Sequence, residues 1–293
     1  MELFQLRYFV SAARLRHFTR AAEENFVSQP SLSLQIANLE REIGARLFVR
    51  RGRSVRLTDA GELLLQYAER ILNDEIAARQ AIQELIGLRL GTLKLWTLPT
   101  PGQQLIPPLL AEYRARYPEV EIHLRETVPA GAVAEAVAAG QADIGILHLP
   151  YQSVGLSEHL LLREELALIV PEGHPLAGHT CVALADVRNE PFVWAPDAAS
   201  EVHPLYAACL AAGFAPRIVC ETGSAHAMQA LVAAGLGIAL LPKLAIKPPA
   251  GTCVVELAPP RPTRTIAAVW RADRLSHSAS AFLDILKGHY SVS

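Results

Sequence analysis

Apolar residues near the start of the chain recur at helical spacing. Leu6, Phe9, Val10 and Ala13 share one face of a helix predicted over roughly Leu3 to Leu15. A second stripe, Leu32, Ile36, Leu39 and Ile43, runs at intervals of four, three and four residues. Ahead of it, Val27-Ser28-Gln29-Pro30 breaks the helix. Pro30 disfavours helical geometry at Gln29 but suits the first turn of a new helix, for which Ser28 is the expected cap. A short helix before the break would be capped by Thr19, with Ala21 and Ala22 small enough for a neighbouring helix to pass closely. Residues 19–43 therefore read as a helix-turn-helix. The run Arg50-Arg51-Gly52-Arg53-Ser54-Val55-Arg56-Leu57 reads as a hairpin wing with its turn at Gly52.

From Asp59 to about Gly87 the pattern predicts one long helix, about 43 Å at about 1.5 Å per residue. Leu64, Ala68, Ile71, Glu75, Ala78, Ile82 and Leu85 form a heptad seam along it, which predicts a dimerisation edge. Arg89 to Gly91 reads as a hinge. Beyond it strands alternate with helices: strands near 92–98, 120–127 and 142–147, with helices near 103–117 and 131–139. A second run follows, with strands near 166–170, 192–194, 217–221 and 238–241 and helices near 202–212 and 225–234. This alternation predicts α/β architecture with a parallel sheet. A strand near 265–270 and a helix near 276–287 would return to the first lobe, so the chain would cross twice, near Leu161 to Leu166 and near Pro262 to Thr265.

Charge sharpens this division. The chain has 293 residues, 51% hydrophobic and 19% charged, and a net charge of −2. Residues 1–58 hold 10 arginines, no lysine and 5 acids, net +5, and the remainder is net −7. A basic head on an acidic body suits a domain that meets phosphate joined to one that does not. No apolar run is long enough to span a membrane and no leader pattern opens the chain, so the cytoplasm is expected. Cys181, Cys209, Cys220 and Cys253 are scattered without metal-like spacing, so neither a metal site nor a disulfide framework is expected, and no cofactor. Ser200, His203, His226 and Asp197 are residue types used in nucleophilic catalysis, but no Gly-x-Ser-x-Gly elbow, nucleotide-binding glycine loop or HExxH accompanies them. An enzyme is not expected.

Residues 1–66 resemble the N-terminal domain of LysR-type transcriptional regulators. The likeness is carried by Leu6-Arg7-Tyr8-Phe9-Val10, Phe18-Thr19-Arg20-Ala21-Ala22, Val27-Ser28-Gln29-Pro30 and Leu57-Thr58-x-Ala60-Gly61. Leu34 stands where many members carry arginine, and Asn25 where an apolar residue is usual. Leu105-Ile106-Pro107-Pro108-Leu109-Leu110 and the run from Leu231 to Pro242 are similar to the family's effector domains. The resemblance implies a winged helix-turn-helix (1–58), a linker and dimerisation helix (59–88) and a two-lobed, periplasmic-binding-protein-like α/β effector domain (92–293). Its lobes would be about 92–163 with 265–293, and 164–264. It also implies double-stranded promoter DNA, a small-molecule effector and RNA polymerase as partners, and a homodimer or homotetramer.

For DNA the candidates are Thr19, Arg20, Ser28, Gln29, Pro30, Ser31, Ser33, Leu34, Asn38, Arg51 and Arg53. Gln and Asn can pair with adenine, Ser with any base edge, and arginines with phosphates or a narrow minor groove. For the effector they are Thr100, Pro101, Gln103, Val128, His148, Pro196, Asp197, Ser200 and Ser224, at strand ends and helix N-termini where backbone N–H groups lack partners. In the family a Ser or Thr at the place of Thr100 often holds the ligand. Ala130 lacks the hydroxyl many relatives have, and Asp197 and Glu201 add negative charge. The alternative is a redox sensor. The second lobe partly resembles the peroxide-sensing OxyR branch, whose two cysteines lie nine residues apart, yet nine residues before Cys209 stands Ser200. Cys209 could then act only as a single thiol.

Overall fold

The computed structural model describes residues 1–51, 54–85, 91–152 and 155–290. It divides into two compact units, one built mainly on residues 1–89 and the other mainly on residues 90–293.

The first unit contains α1 (Leu3–Leu15), α2 (Phe18–Glu24), α3 (Gln29–Ile43), an antiparallel hairpin of β1 (Phe48–Arg51) and β2 (Ser54–Leu57), and α4 (Asp59–Leu85). Leu6, Phe9, Leu32, Leu39 and Leu47 are fully buried in its core, where Phe48 lies 5.4 Å from Phe9 and 5.3 Å from Phe18 between ring centres. Ser28 caps α3 by accepting from the Ser31 amide at 3.3 Å, and Gly44 ends the helix in the left-handed region. Glu40 then fixes the exit into the hairpin. One of its oxygens accepts the Leu47 and Phe48 amides at 2.8 and 3.3 Å, and the other meets Arg46 at 3.0 Å. The Thr58 hydroxyl caps α4 by accepting from the Gly61 amide at 3.0 Å. Gly61 is required for space, since a Cβ there would lie 2.2 Å from the Leu47 carbonyl oxygen.

Two expectations are corrected here. Thr19 is not the cap of α2: His17 is, its Nδ1 accepting from the Arg20 amide at 3.4 Å, and Thr19 lies inside the helix. The heptad seam is also not one edge. Leu64, Ala68 and Ile71 pack on the unit's own core, and Glu75 pairs with Arg7 at 3.0 Å. Farther along, Ile76 and Ile82 are exposed.

The second unit has two lobes. In the first, β4 (Glu121–Glu126), β3 (Thr92–Thr97) and β5 (Ile144–His148) run parallel, and β12 (Thr263–Trp270) joins antiparallel to β5. Helices α5 (Pro99–Gln104), α6 (Ile106–Arg116), α7 (Ala130–Ala138) and α10 (His277–His289) complete it. Tyr113 and Phe282 pack edge-on beneath one face of the sheet, and Val133 and Val137 of α7 cover the other. Strand β6 (Ser157–Pro171) passes between lobes. Residues 157–165 pair with β12, and residues 166–171 pair with β10 (Ala239–Pro242) and β11 (Thr252–Leu257) in the second lobe. That lobe adds the short β7 (Cys181–Val182), a parallel pair of β8 (Pro191–Trp194) and β9 (Arg217–Glu221), and helices α8 (Pro204–Ala211) and α9 (Ala225–Ala233). Its core centres on Phe192, Trp194, Leu240 and Cys209, with Met228 and Val232 on the α9 side.

The parallel sheet expected is in fact mixed, because both crossing strands enter antiparallel. The single helix expected near 103–117 is two helices. Leu105 separates them, and the prolines 107 and 108 sit in the first turn of α6, where the missing N–H groups cost nothing. The first half of β6, together with β7 and β11, lies outside the strands expected from the sequence.

Candidate DNA interface and effector cleft

In the first unit, α3 turns Leu32, Ile36 and Leu39 inward and leaves Gln29, Pro30, Ser31 and Leu34 exposed, with Ser33 and Asn38 partly so. Thr19 and Arg20 of α2 and Ser28, the cap of α3, are also exposed. Gln29 Nε2 donates to Ser33 Oγ at 2.8 Å, so the two side chains form one exposed polar ledge. Asn38 is engaged by Arg41 at 3.3 Å, and Gln35 is turned toward Gln5 at 3.2 Å and away from that ledge. The side chain of Arg51, and Arg53 altogether, lie outside the described residues. Arg56 of β2 is exposed.

In the second unit, a cavity of about 300 Å³ opens between the lobes. Of the predicted residues, Thr100, Gln103, Val128, His148, Asp197 and Ser224 line it. Pro101, Pro196 and Ser200 do not: Pro101 is buried in α5, and Pro196 and Ser200 are exposed elsewhere on their loop. Glu201 is exposed and does not line it either. Ser224 caps α9, its hydroxyl accepting from the Ala227 amide at 3.3 Å, which leaves its O–H to donate.

Sequence reading missed the floor of this cavity. Arg264 and Glu164 face each other on the two crossing strands, and Arg264 Nε donates to Glu164 Oε1 at 2.7 Å. Glu164 Oε2 accepts the Leu244 amide at 2.8 Å. Both are buried, and Arg264 Nη2 has no hydrogen-bond partner among the described residues. His148 and His203 meet edge-on, 4.7 Å between ring centres. Burial, aided by the Arg264 charge, pulls His148 down to about 4. Burial, then His148 and Arg264, pulls His203 down to about 3. Both rings are therefore neutral at pH 7. Burial also raises Asp197 above the ordinary carboxylate range. Outside this cleft, Cys209 is fully buried in the second lobe and burial pushes its thiol up to about 12, the opposite of a reactive thiolate.

A winged helix-turn-helix with an exposed polar recognition face, on the same chain as two α/β lobes around a small cleft, defines a ligand-responsive transcriptional regulator. The comparisons agree. Residues 3–62 match the model of the bacterial regulatory helix-turn-helix protein, lysR family, and residues 87–291 match the LysR substrate binding domain. The chain is 33% identical to the uncharacterized HTH-type transcriptional regulator YwbI of Bacillus subtilis, over 99% of this chain and 97% of that one. It is 32% identical to the DNA-binding transcriptional dual regulator OxyR of Escherichia coli, again over 99% and 97%. Among solved structures it is similar to full-length CbnR complexed with its target DNA, with a TM-score of 0.72, 25% identity and coverage of 99% and 100%. The chain belongs to the LysR family of transcriptional regulators.

Proposed function

We propose that the exposed N-terminal face of α3 reads promoter DNA in the major groove, and that occupation of the cleft between the lobes changes how tightly the promoter is held. The observation that carries the reading is the Gln29–Ser33 ledge at the start of α3, outward-facing on a buried stripe, where recognition helices place their base contacts. Gln29 and Ser31 read bases. Thr19, Arg20, Ser28, Ser33, Arg51 and Arg53 hold the backbone, and Leu34 offers an apolar contact for a thymine methyl. Thr100, Gln103, His148, Asp197 and Ser224 contact the effector. The protein works in the cytoplasm as a homodimer or a dimer of such dimers, binds no membrane, has no enzymatic activity and acts on RNA polymerase at the promoter. The outer half of α4, with Ile82 exposed, serves pairing, whereas Ile71 serves the head's own core.

Selection of binding sites from random DNA tests this. The selected sites should contain two related half-sites centred about 34 to 36 Å apart, or a multiple of that spacing. Ile82→Asp should lose the paired-site affinity while keeping the melting temperature of the head. Sites without any repeated half-site would refute the paired reading.

A further inference from the structure

The cleft does not suit a simple anion or a simple cation. Among the described residues, its lining holds one cation, Arg264, and two carboxylates, Glu126 and Asp197. Arg264 is only 7% exposed and its charge is already matched by Glu164, yet Nη2 has no acceptor among the described residues. A buried donor without a partner is costly, and a ligand oxygen there would relieve it. A ligand carrying only negative charge would satisfy Arg264 but meet two carboxylates in the same small space. A ligand carrying only positive charge would suit the carboxylates and leave Nη2 unsatisfied. The volume, about 300 Å³, is at the small end of ligand cavities and suits a small ligand.

We infer that the effector is a small zwitterion of the amino-acid class, its carboxylate drawn to the Arg264 guanidinium and its ammonium held by Asp197 and Glu126. This rests on the cleft being the effector site. The carboxylate end lies at the hinge. Arg264 and Glu164 sit on the two strands that connect the lobes, and Glu164 also holds the Leu244 amide of the second lobe. A ligand bound there touches the strands that join the lobes directly. His203 and Asp197 enter from the second lobe and His148 and Glu126 from the first, so both lobes contribute to one site.

The test uses the full-length protein. Thermal shift and calorimetry with each of the twenty L-amino acids come first, followed by the deaminated acid and the decarboxylated amine of whichever binds. The expected result is that at least one amino acid binds, while its acid and its amine are each at least tenfold weaker. In Asp197→Asn the preference for the amino acid over its deaminated acid should fall at least fivefold. Asp197 lies in a loop and is not part of the buried Arg264–Glu164 pair, so this variant tests the ammonium end without breaking that pair. The inference is overturned if none of the twenty binds, if the acid or the amine binds as tightly as the parent, or if Asp197→Asn leaves the preference unchanged. An acid that binds alone and still alters operator affinity would overturn the zwitterion while leaving the regulator reading standing.

Discussion

The two units present their chemistry in opposite ways. In the head, the polar side chains proposed to act lie in one stretch of sequence, stand in solvent, and are held up by a core they do not enter. At the cleft, the lining residue Arg264 and its partner Glu164 lie a hundred residues apart and face each other from adjacent strands, and Glu164 also holds the Leu244 amide of the second lobe. An exposed side chain can be exchanged without disturbing its scaffold, so the DNA sequence read can change readily. A buried ion pair on the strands that join the lobes cannot, so the ligand proposed to bind there would be tied to the stability of the domain.

The largest test of this contrast is to remove half of an ion pair from each unit. Glu164→Ala should destabilise the second unit by about 3 to 5 kcal/mol, because it leaves the Arg264 charge buried and unpaired. Arg14→Ala in the head, where Arg14 is 60% exposed in its pair with Glu69, should cost no more than about 1 kcal/mol. Urea unfolding of full-length protein would separate them, and equal costs would break the comparison.

Acid provides the next effect. The folded-state values of His148 and His203 lie below the ordinary histidine value, so the unfolded chain binds the extra protons first as pH falls. The second unit should lose stability from about pH 6.5 down to about pH 4, by roughly 3 kcal/mol for His148. His148→Gln should flatten that slope, as melting temperatures measured across the range would show. An unchanged slope would mean that His148 takes up its proton in the folded protein at the ordinary histidine value.

On the head, Gln29→Ala should cost about 1 to 3 kcal/mol on a selected site with little loss on random DNA. Arg53→Ala should weaken both and lower the salt dependence by about one unit of slope. If Gln29→Ala weakened all sequences equally, the ledge would be holding phosphate instead of bases. The smallest effect sharpens the cleft. Thr100→Val keeps shape while removing a hydroxyl at the lining, and should raise the effector concentration needed about five- to hundred-fold.

The same contrast explains what can be read from sequence. The three-helix head, the proline break, the Ser28 cap and the wing hairpin are local patterns, so they are visible there. The His17 cap escapes because His is an uncommon capping residue and Thr19 two positions on is a favoured one. The seam misleads because Leu64, Ala68 and Ile71 fit a dimer edge and a core-facing stripe equally well. In the effector domain the helices and most strands are legible, but Glu164 and Arg264 are not. Their signal is faint. Each occupies an inward position of an alternating strand, Glu164 in phase with Leu166 and Leu168, Arg264 in phase with Ile266 and Ala268. A charge in the apolar phase of two strands is a reason to look for a pair, but only pairing in space says that these two meet. The Pro196 and Ser200 expectations treat a whole loop as lining, whereas of these residues only Asp197 turns inward.

The central claim is that the cleft controls the head. Operator affinity of the full-length protein, followed by fluorescence anisotropy as an amino acid shown to bind the cleft is titrated in, tests it most directly. The account predicts a saturable change in affinity whose midpoint matches the calorimetric Kd, since a ligand can shift DNA binding only by its differential affinity for two arrangements of the protein. Full occupancy of the cleft with operator affinity unchanged would contradict it.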